Sequence, residues 1–123
     1  MPGVVLIAIV DDDDSLRKSL DNLIRSVGFR TEGFASAEAF LRSNQIQDTA
    51  CLILDVRMPG MNGLELQRQM VAANWRIPII FITAHADAEA QARALAAGAV
   101  AFLYKPWREE ELLAAIDIAL KRS

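Results

Sequence analysis

Five residues with chemistry to offer stand at one kind of place in this sequence. Asp11 with Asp12, Asp55, Thr83 and Lys105 each follow directly on a short apolar run: Val4 to Val10, Ala50 to Leu54, Ile79 to Ile82 and Ala99 to Tyr104. Carboxylates gathered around a single Lys repel one another unless a cation offsets them. A set of carboxylate and carbonyl oxygens, with neither Cys nor His in it, suits a hard divalent ion such as Mg²⁺. Such an ion takes one or two carboxylates, keeps several waters and leaves a position for a phosphate oxygen. An acyl phosphate on Asp55 would complete that shell. Thr83 Oγ1 and Lys105 would then contact the other phosphoryl oxygens, since phosphoryl transfer is mostly positioning and charge neutralisation.

The elements between those residues must bring them together. The four apolar runs are too short for lone helices and unbroken rather than alternating, which reads as strands buried on both faces. Phe29 to Phe34 is more polar and reads as an edge strand. Leu16, Leu20, Leu23, Ile24 and Val27 fall at helical spacing, with Asp14 or Ser15 as cap and Gly28 as the stop. Short helices are expected from Ser36 to Leu41, from Leu64 to Ala73, and from an Asp87 cap to Ala97. The last runs from Glu109 to Arg122, acidic in its first turn and basic in its last, as the helix macrodipole favours. Ser43 to Thr49 and Met58 to Gly63 are connections. Strictly alternating strands and helices joined by right-handed crossovers give an α/β, three-layer, doubly wound parallel sheet of flavodoxin-like type, five strands in the order 2-1-3-4-5 with five helices. Ligands bind such sheets outside the carboxyl ends of the strands, where the order reverses. There the first and third strands are neighbours about 4.8 Å apart, so Asp11 or Asp12 must lie near Asp55. The fifth strand is roughly 10 Å from the third, a gap the Lys105 stem bridges in large part.

Composition narrows the class. The 123 residues are the size of one domain, 53% apolar and 24% charged, with 13 Lys+Arg against 16 Asp+Glu and a net charge of −3. That balance argues against nucleic-acid contact by this domain itself, which would call for a basic face. The single Cys excludes a disulfide framework and fits a reducing, cytoplasmic compartment. No run approaches the roughly 18 apolar residues of a membrane span, and Met1 to Val10 lacks the basic start of a signal peptide. The acidic first strand–helix loop would repel a nucleotide phosphate, and no G-x-G-x-x-G, Walker A or G-x-S-x-G pattern occurs.

Val10-Asp11-Asp12, the stretch Leu54 to Gly63, Ile82-Thr83-Ala84 and Tyr104-Lys105-Pro106 match, in order and spacing, the motifs of bacterial two-component response-regulator receiver domains. The resemblance covers nearly the whole chain. Asp55 to Gln67, Pro78 to Asp87 and Phe102 to Pro106 are most similar to FixJ/NarL-type receivers. The resemblance implies that Asp55 is the phosphoacceptor, taking its phosphoryl group from a phosphohistidine on a sensor histidine kinase, and that the output is a conformation rather than a released product, so not an enzyme. It implies Mg²⁺ held by Asp12 directly, by Asp11 mainly through water, by Asp55 and by the backbone carbonyl of Arg57. Thr83 and Lys105 become the phosphate-sensing hydroxyl and cation, and Phe102 the switch aromatic that turns into the space the hydroxyl vacates. FixJ/NarL-type proteins continue through a linker into a DNA-binding output domain; residues 1–123 read as a single receiver domain, either excised from such a protein or standing alone, with Lys121-Arg122-Ser123 as a candidate start of that linker. The alternatives are a Mg²⁺-dependent phosphohydrolase of a separate substrate and a phosphate-independent scaffold.

Other residues have plainer readings beside their functional ones. Asp13 and Asp14 read as helix caps and solvated charge, and Cys51 as a small core residue. Arg57 and His85, two residues beyond Asp55 and Thr83, read as solvated surface; the sharper reading has the Arg57 side chain screening the acid cluster or obstructing water. The Ala-rich helix from Ala88 to Ala97 reads either as plain helix propensity or, with the fifth strand, as a homodimer face. Trp107 is an anchor near the site or a core residue.

Overall fold

The computed structural model describes residues 5–122. In chain order the elements are β1 (Leu6–Val10), α1 (Asp14–Ser26), β2 (Arg30–Phe34), α2 (Ala37–Leu41), β3 (Thr49–Asp55), α3 (Gly63–Ala72), β4 (Ile79–Thr83), α4 (Ala88–Ala96), β5 (Ala101–Tyr104) and α5 (Glu109–Arg122). All strand pairs are parallel and the sheet order is β2-β1-β3-β4-β5, the expected doubly wound arrangement with β2 at one edge.

The unbroken apolar runs are explained by two cores, one on each face of the sheet. Ile7, Ile9, Cys51, Ile53, Ile80 and Ile82 pack with Leu20 and Ile24 of α1 and with Leu112 and Ile116 of α5. The alternate residues Ala8, Val10, Leu52, Leu54, Phe81 and Phe102 pack with Phe40, Leu66, Met70, Ala90 and Ala94 from α2, α3 and α4. Successive side chains point to opposite faces, so a strand buried on both needs apolar residues at every position. Each fully buried Leu, Ile or Phe contributes about 1.5–3 kcal/mol.

Several local expectations are corrected. The cap of α1 is Asp13, whose carboxylate accepts from the Leu16 N–H at 3.2 Å, not Asp14 or Ser15. Val27 lies past the helix as its C-cap, with its own backbone already off helical values (φ −102°, ψ 12°), and stands 46% exposed rather than on the core face. The third helix starts at Gly63, one residue early, since Asn62 and Glu65 form a reciprocal capping box (2.8 and 2.9 Å). The fifth strand starts at Ala101: Ala99 is drawn into the end of α4 through the Ala94 carbonyl (3.0 Å). Thr49 belongs to β3 rather than to the preceding loop. The expected start of the first strand at Val4, the Met1–Val4 part of the signal-peptide test and the Ser123 end of the linker reading lie outside the described residues. No described helix is long and apolar enough to cross a membrane.

Candidate functional site: an acidic cup at the carboxyl edge of the sheet

Strand register decides which groups meet. Leu54 lies beside Val10 and Asp55 beside Ile82, while Thr83 pairs with Tyr104. The residues that end β1, β3, β4 and β5 therefore emerge along one edge. Asp11, Asp12 and Asp55 each offer a carboxylate oxygen within 4.8 Å of the others. Both Asp11 and Asp12 join Asp55, where adjacency of the strands alone required only one of them.

The three carboxylates are held unequally. Asp11 is fully buried: its Oδ1 accepts the Asp13 N–H at 2.8 Å, and its Oδ2 faces Lys105 Nζ at 3.4 Å. Asp55 is 6% exposed and accepts the Arg57 N–H at 3.3 Å. Asp12 is exposed. Burial pushes the Asp55 carboxyl up to about 6, and the neighbouring Asp11 charge adds to the rise; Lys105 and the Arg57 N–H oppose it. Lys105 spans the sheet as expected, but its ion pair is with Asp11, the charge nearest the end of its stem.

The loop after Asp55 depends on contacts that sequence pattern did not reveal. Gly63 has no room for a side chain, because a Cβ there would meet the Asp55 carbonyl oxygen and the Phe81 ring; its N–H donates to Val56 O at 2.9 Å. Gly60 adopts φ +75°, and Glu38 fills the space a Cβ would need, its carboxylate accepting the Met61 N–H at 3.1 Å. That backbone donor holds the Glu38 carboxyl below its usual range. The spacing Asn62-x-x-Glu65 was a capping-box signal that the expected helix start at Leu64 passed over; the reach of Glu38 from α2 had no local signal. Arg17 was equally silent: its Nη1 donates to the Asp11 carbonyl at 2.7 Å, and its Nη2 pairs with Asp14.

Thr83 is buried, and its Oγ1 accepts the His85 N–H at 3.2 Å, so the hydroxyl is tied to its own turn. The Arg57 side chain points to Asp87, the N-cap of α4, at 3.7 Å, and stands 58% exposed. The solvated reading of Arg57 and His85 thus describes these side chains, and the Arg57 guanidinium is partnered outside the acid cluster. Phe102 is buried in the core, its ring 5.8 Å from Phe81 and 5.5 Å from Tyr104, whose hydroxyl donates to Gln91 of α4 at 2.5 Å. Cys51 is buried, its thiol pushed up to about 12, which suits an inert core residue. Trp107 packs partly buried beside Leu16, Lys105 and Pro106.

An all-oxygen donor set, a carboxyl whose ionisation is opposed by burial and by the neighbouring carboxylates, and one Lys make a pocket complementary to a small hard cation. The backbone carbonyl of Arg57, which the resemblance adds to this donor set, lies two residues beyond Asp55 in the chain.

Known proteins share this sequence and fold. Residues 7–117 match the sequence model of the response regulator receiver domain. Nodulation protein W of Bradyrhizobium diazoefficiens is 48% identical over 117 residues, covering 95% of this chain and 52% of that protein. Response regulator protein TodT of Pseudomonas putida is 50% identical over 116 residues, covering 94% and 51%. The crystal structure of FixJ-N superposes with a TM-score of 0.87 at 37% identity, covering all of this chain and 98% of that one. The chain spans about half the length of the first two relatives, and the similarity to FixJ-type receivers is borne out.

Proposed function

This chain belongs to the response-regulator receiver family, whose members are signalling switches, and we propose that Asp55 is its phosphoacceptor. The observation that carries the proposal is the convergence of Asp11, Asp12 and Asp55 from two strand ends, with Lys105 arriving from a third. Asp11, Asp12, Asp55 and the Arg57 carbonyl would hold Mg²⁺. When bound, that ion neutralises the carboxylates and offers a site for a phosphoryl oxygen.

The side chains do the remaining work. Asp55 attacks in its ionised form: a carboxylate oxygen forms the new P–O bond as the P–N bond of the donor phosphohistidine breaks, and the imidazole leaves with the electron pair. Lys105 turns from Asp11 toward the phosphoryl oxygens, and the Thr83 hydroxyl exchanges its His85 contact for the same target. Phe102, against Phe81 and Tyr104, is the aromatic that repacks, and the Tyr104–Gln91 hydrogen bond links that movement to α4. The output is a population of conformers.

The phosphodonor is a sensor histidine kinase on the cytoplasmic side. Residues 1–123 act as one receiver unit of a regulator that controls transcription through an output domain. The lightly charged face of α4, where Ala92 is exposed and Leu95 is 42% exposed, is the surface for a second copy.

Incubation with Mg²⁺ and acetyl phosphate, followed by intact mass and Trp fluorescence, tests this reading. One acid-labile phosphoryl group should accumulate and be absent in Asp55→Asn. Turnover without an adduct would mark a phosphohydrolase, and no reaction a scaffold.

A further inference from the structure

Resting on that reading, we propose that Arg17 is a positioning residue for the metal-ligating loop: its guanidinium fixes the peptide between Asp11 and Asp12 and so aims the Asp12 carboxylate into the cup. Arg17 lies in the first turns of α1, yet its side chain is only 22% exposed, far less than an arginine left to solvent. One prong of its fork returns to the loop that precedes the helix and the other to the first residue of the helix. Nη1 donates to the Asp11 carbonyl at 2.7 Å, and Nη2 pairs with the Asp14 carboxylate.

The Asp11 carbonyl needs such a partner. Its residue is the last held by the sheet: the Asp11 N–H donates to Phe34 O at 3.1 Å, and no backbone N–H of the described residues donates to Asp11 O. Arg17 supplies the donor that a longer neighbouring strand would have supplied. Because a peptide is planar, fixing that oxygen fixes the amide of Asp12 as well, and with it the direction in which the Asp12 side chain leaves the backbone.

Asp12 depends on this more than its neighbours do. The Asp11 carboxylate is held by the Asp13 N–H and Lys105, and that of Asp55 by the Arg57 N–H. The Asp12 carboxylate accepts no hydrogen bond and makes no ion pair among the described residues, yet its oxygen stands with the other two. Its direction is therefore set by the backbone it grows from, and Arg17 holds that backbone.

Charge and positioning make opposite demands, which gives the test. A cation beside an acidic cup repels a dication, so if Arg17 acted by charge alone its removal would tighten Mg²⁺ binding. If it positions Asp12, removal weakens binding, by about 10-fold or more on the scale of other residues that orient metal ligands. Titration of the full chain with Mg²⁺ alone by isothermal calorimetry, for wild type, Arg17→Ala and Arg17→Lys, separates the two. Weakened binding in Arg17→Ala, with Arg17→Lys still short of wild type because one prong is lost while the charge is kept, supports the proposal. Unchanged or tighter binding in Arg17→Ala overturns it, as does full wild-type affinity in Arg17→Lys, which also decides the matter if Arg17→Ala does not fold. A wild-type chain that takes up no Mg²⁺ overturns the phosphoacceptor reading and this inference with it.

Discussion

Replacing Asp55 by Asn should make the protein more stable at neutral pH, and the gain should vanish in acid. Asp55 is 6% exposed, and burial together with Asp11 raises its carboxyl from 3.8 to about 6. A carboxyl raised on folding contributes stability that is fully present below the unfolded value of 3.8 and is lost as pH rises through about 6. Above that window the wild-type chain carries the whole cost of holding Asp55 ionised. A rise of that size on folding corresponds to about 3 kcal/mol, and solvent screening at the mouth of the cup lowers the expected effect to about 2 kcal/mol. Asn keeps the shape and the oxygen that accepts the Arg57 N–H, but it has no charge to bury. Metal-free melts from pH 4 to 8 should therefore show Asp55→Asn above wild type by roughly 8 °C at pH 7–8, with the two converging near pH 4. Added Mg²⁺ should raise the wild-type Tm and move that of Asp55→Asn less. An equal gain at pH 4 and pH 8, or a loss throughout, would refute the assignment of strain to a buried, repelled charge.

Other consequences follow from the same contacts. Gly63→Ala drives a Cβ into the Asp55 carbonyl oxygen and the Phe81 ring; urea unfolding should show a loss of about 1–3 kcal/mol, and an unchanged midpoint would mean that the loop relaxes freely. Lys105→Ala removes the ion pair of Asp11 and the cation that lowers the Asp55 carboxyl. Its phosphoryl uptake at pH 7, followed by intact mass, should fall by about two orders of magnitude, and uptake within a factor of two of wild type would remove Lys105 from the chemistry. Arg57→Ala opens an exposed ion pair to Asp87, so stability should change by less than about 0.5 kcal/mol. With the guanidinium held at Asp87 rather than over Asp55, the acyl-phosphate half-life and the Mg²⁺ affinity should both stay unchanged; a shortened half-life would restore the reading in which the Arg57 side chain obstructs water.

Most of the architecture was legible because it rests on local pattern. Unbroken runs such as Ile79 to Ile82 demand burial on both faces, Gly28 and Gly98 stop their helices at φ +100° and +105°, and Asp87 caps α4 as its type and place suggest. Errors fell where two local solutions compete: Asp13 rather than Asp14 caps α1, and Gly63 enters α3 because Asn62 and Glu65 complete a box. The members of the acidic cup were legible too, since each ends an apolar run and the sheet order makes those ends neighbours.

What the chain of letters determined by itself was the inventory and the edge: which side chains stand at strand ends, and that carboxylates crowd there with one Lys. Only folding decided the pairings. Lys105 meets Asp11 rather than Asp55, the Arg57 side chain meets Asp87, and Arg17 and Glu38 reach back from helices to hold the loops. Periodicity reports which face of an element is buried, a property of one segment. The partner a long flexible side chain finds depends on distances between segments, and those exist only once the sheet has closed.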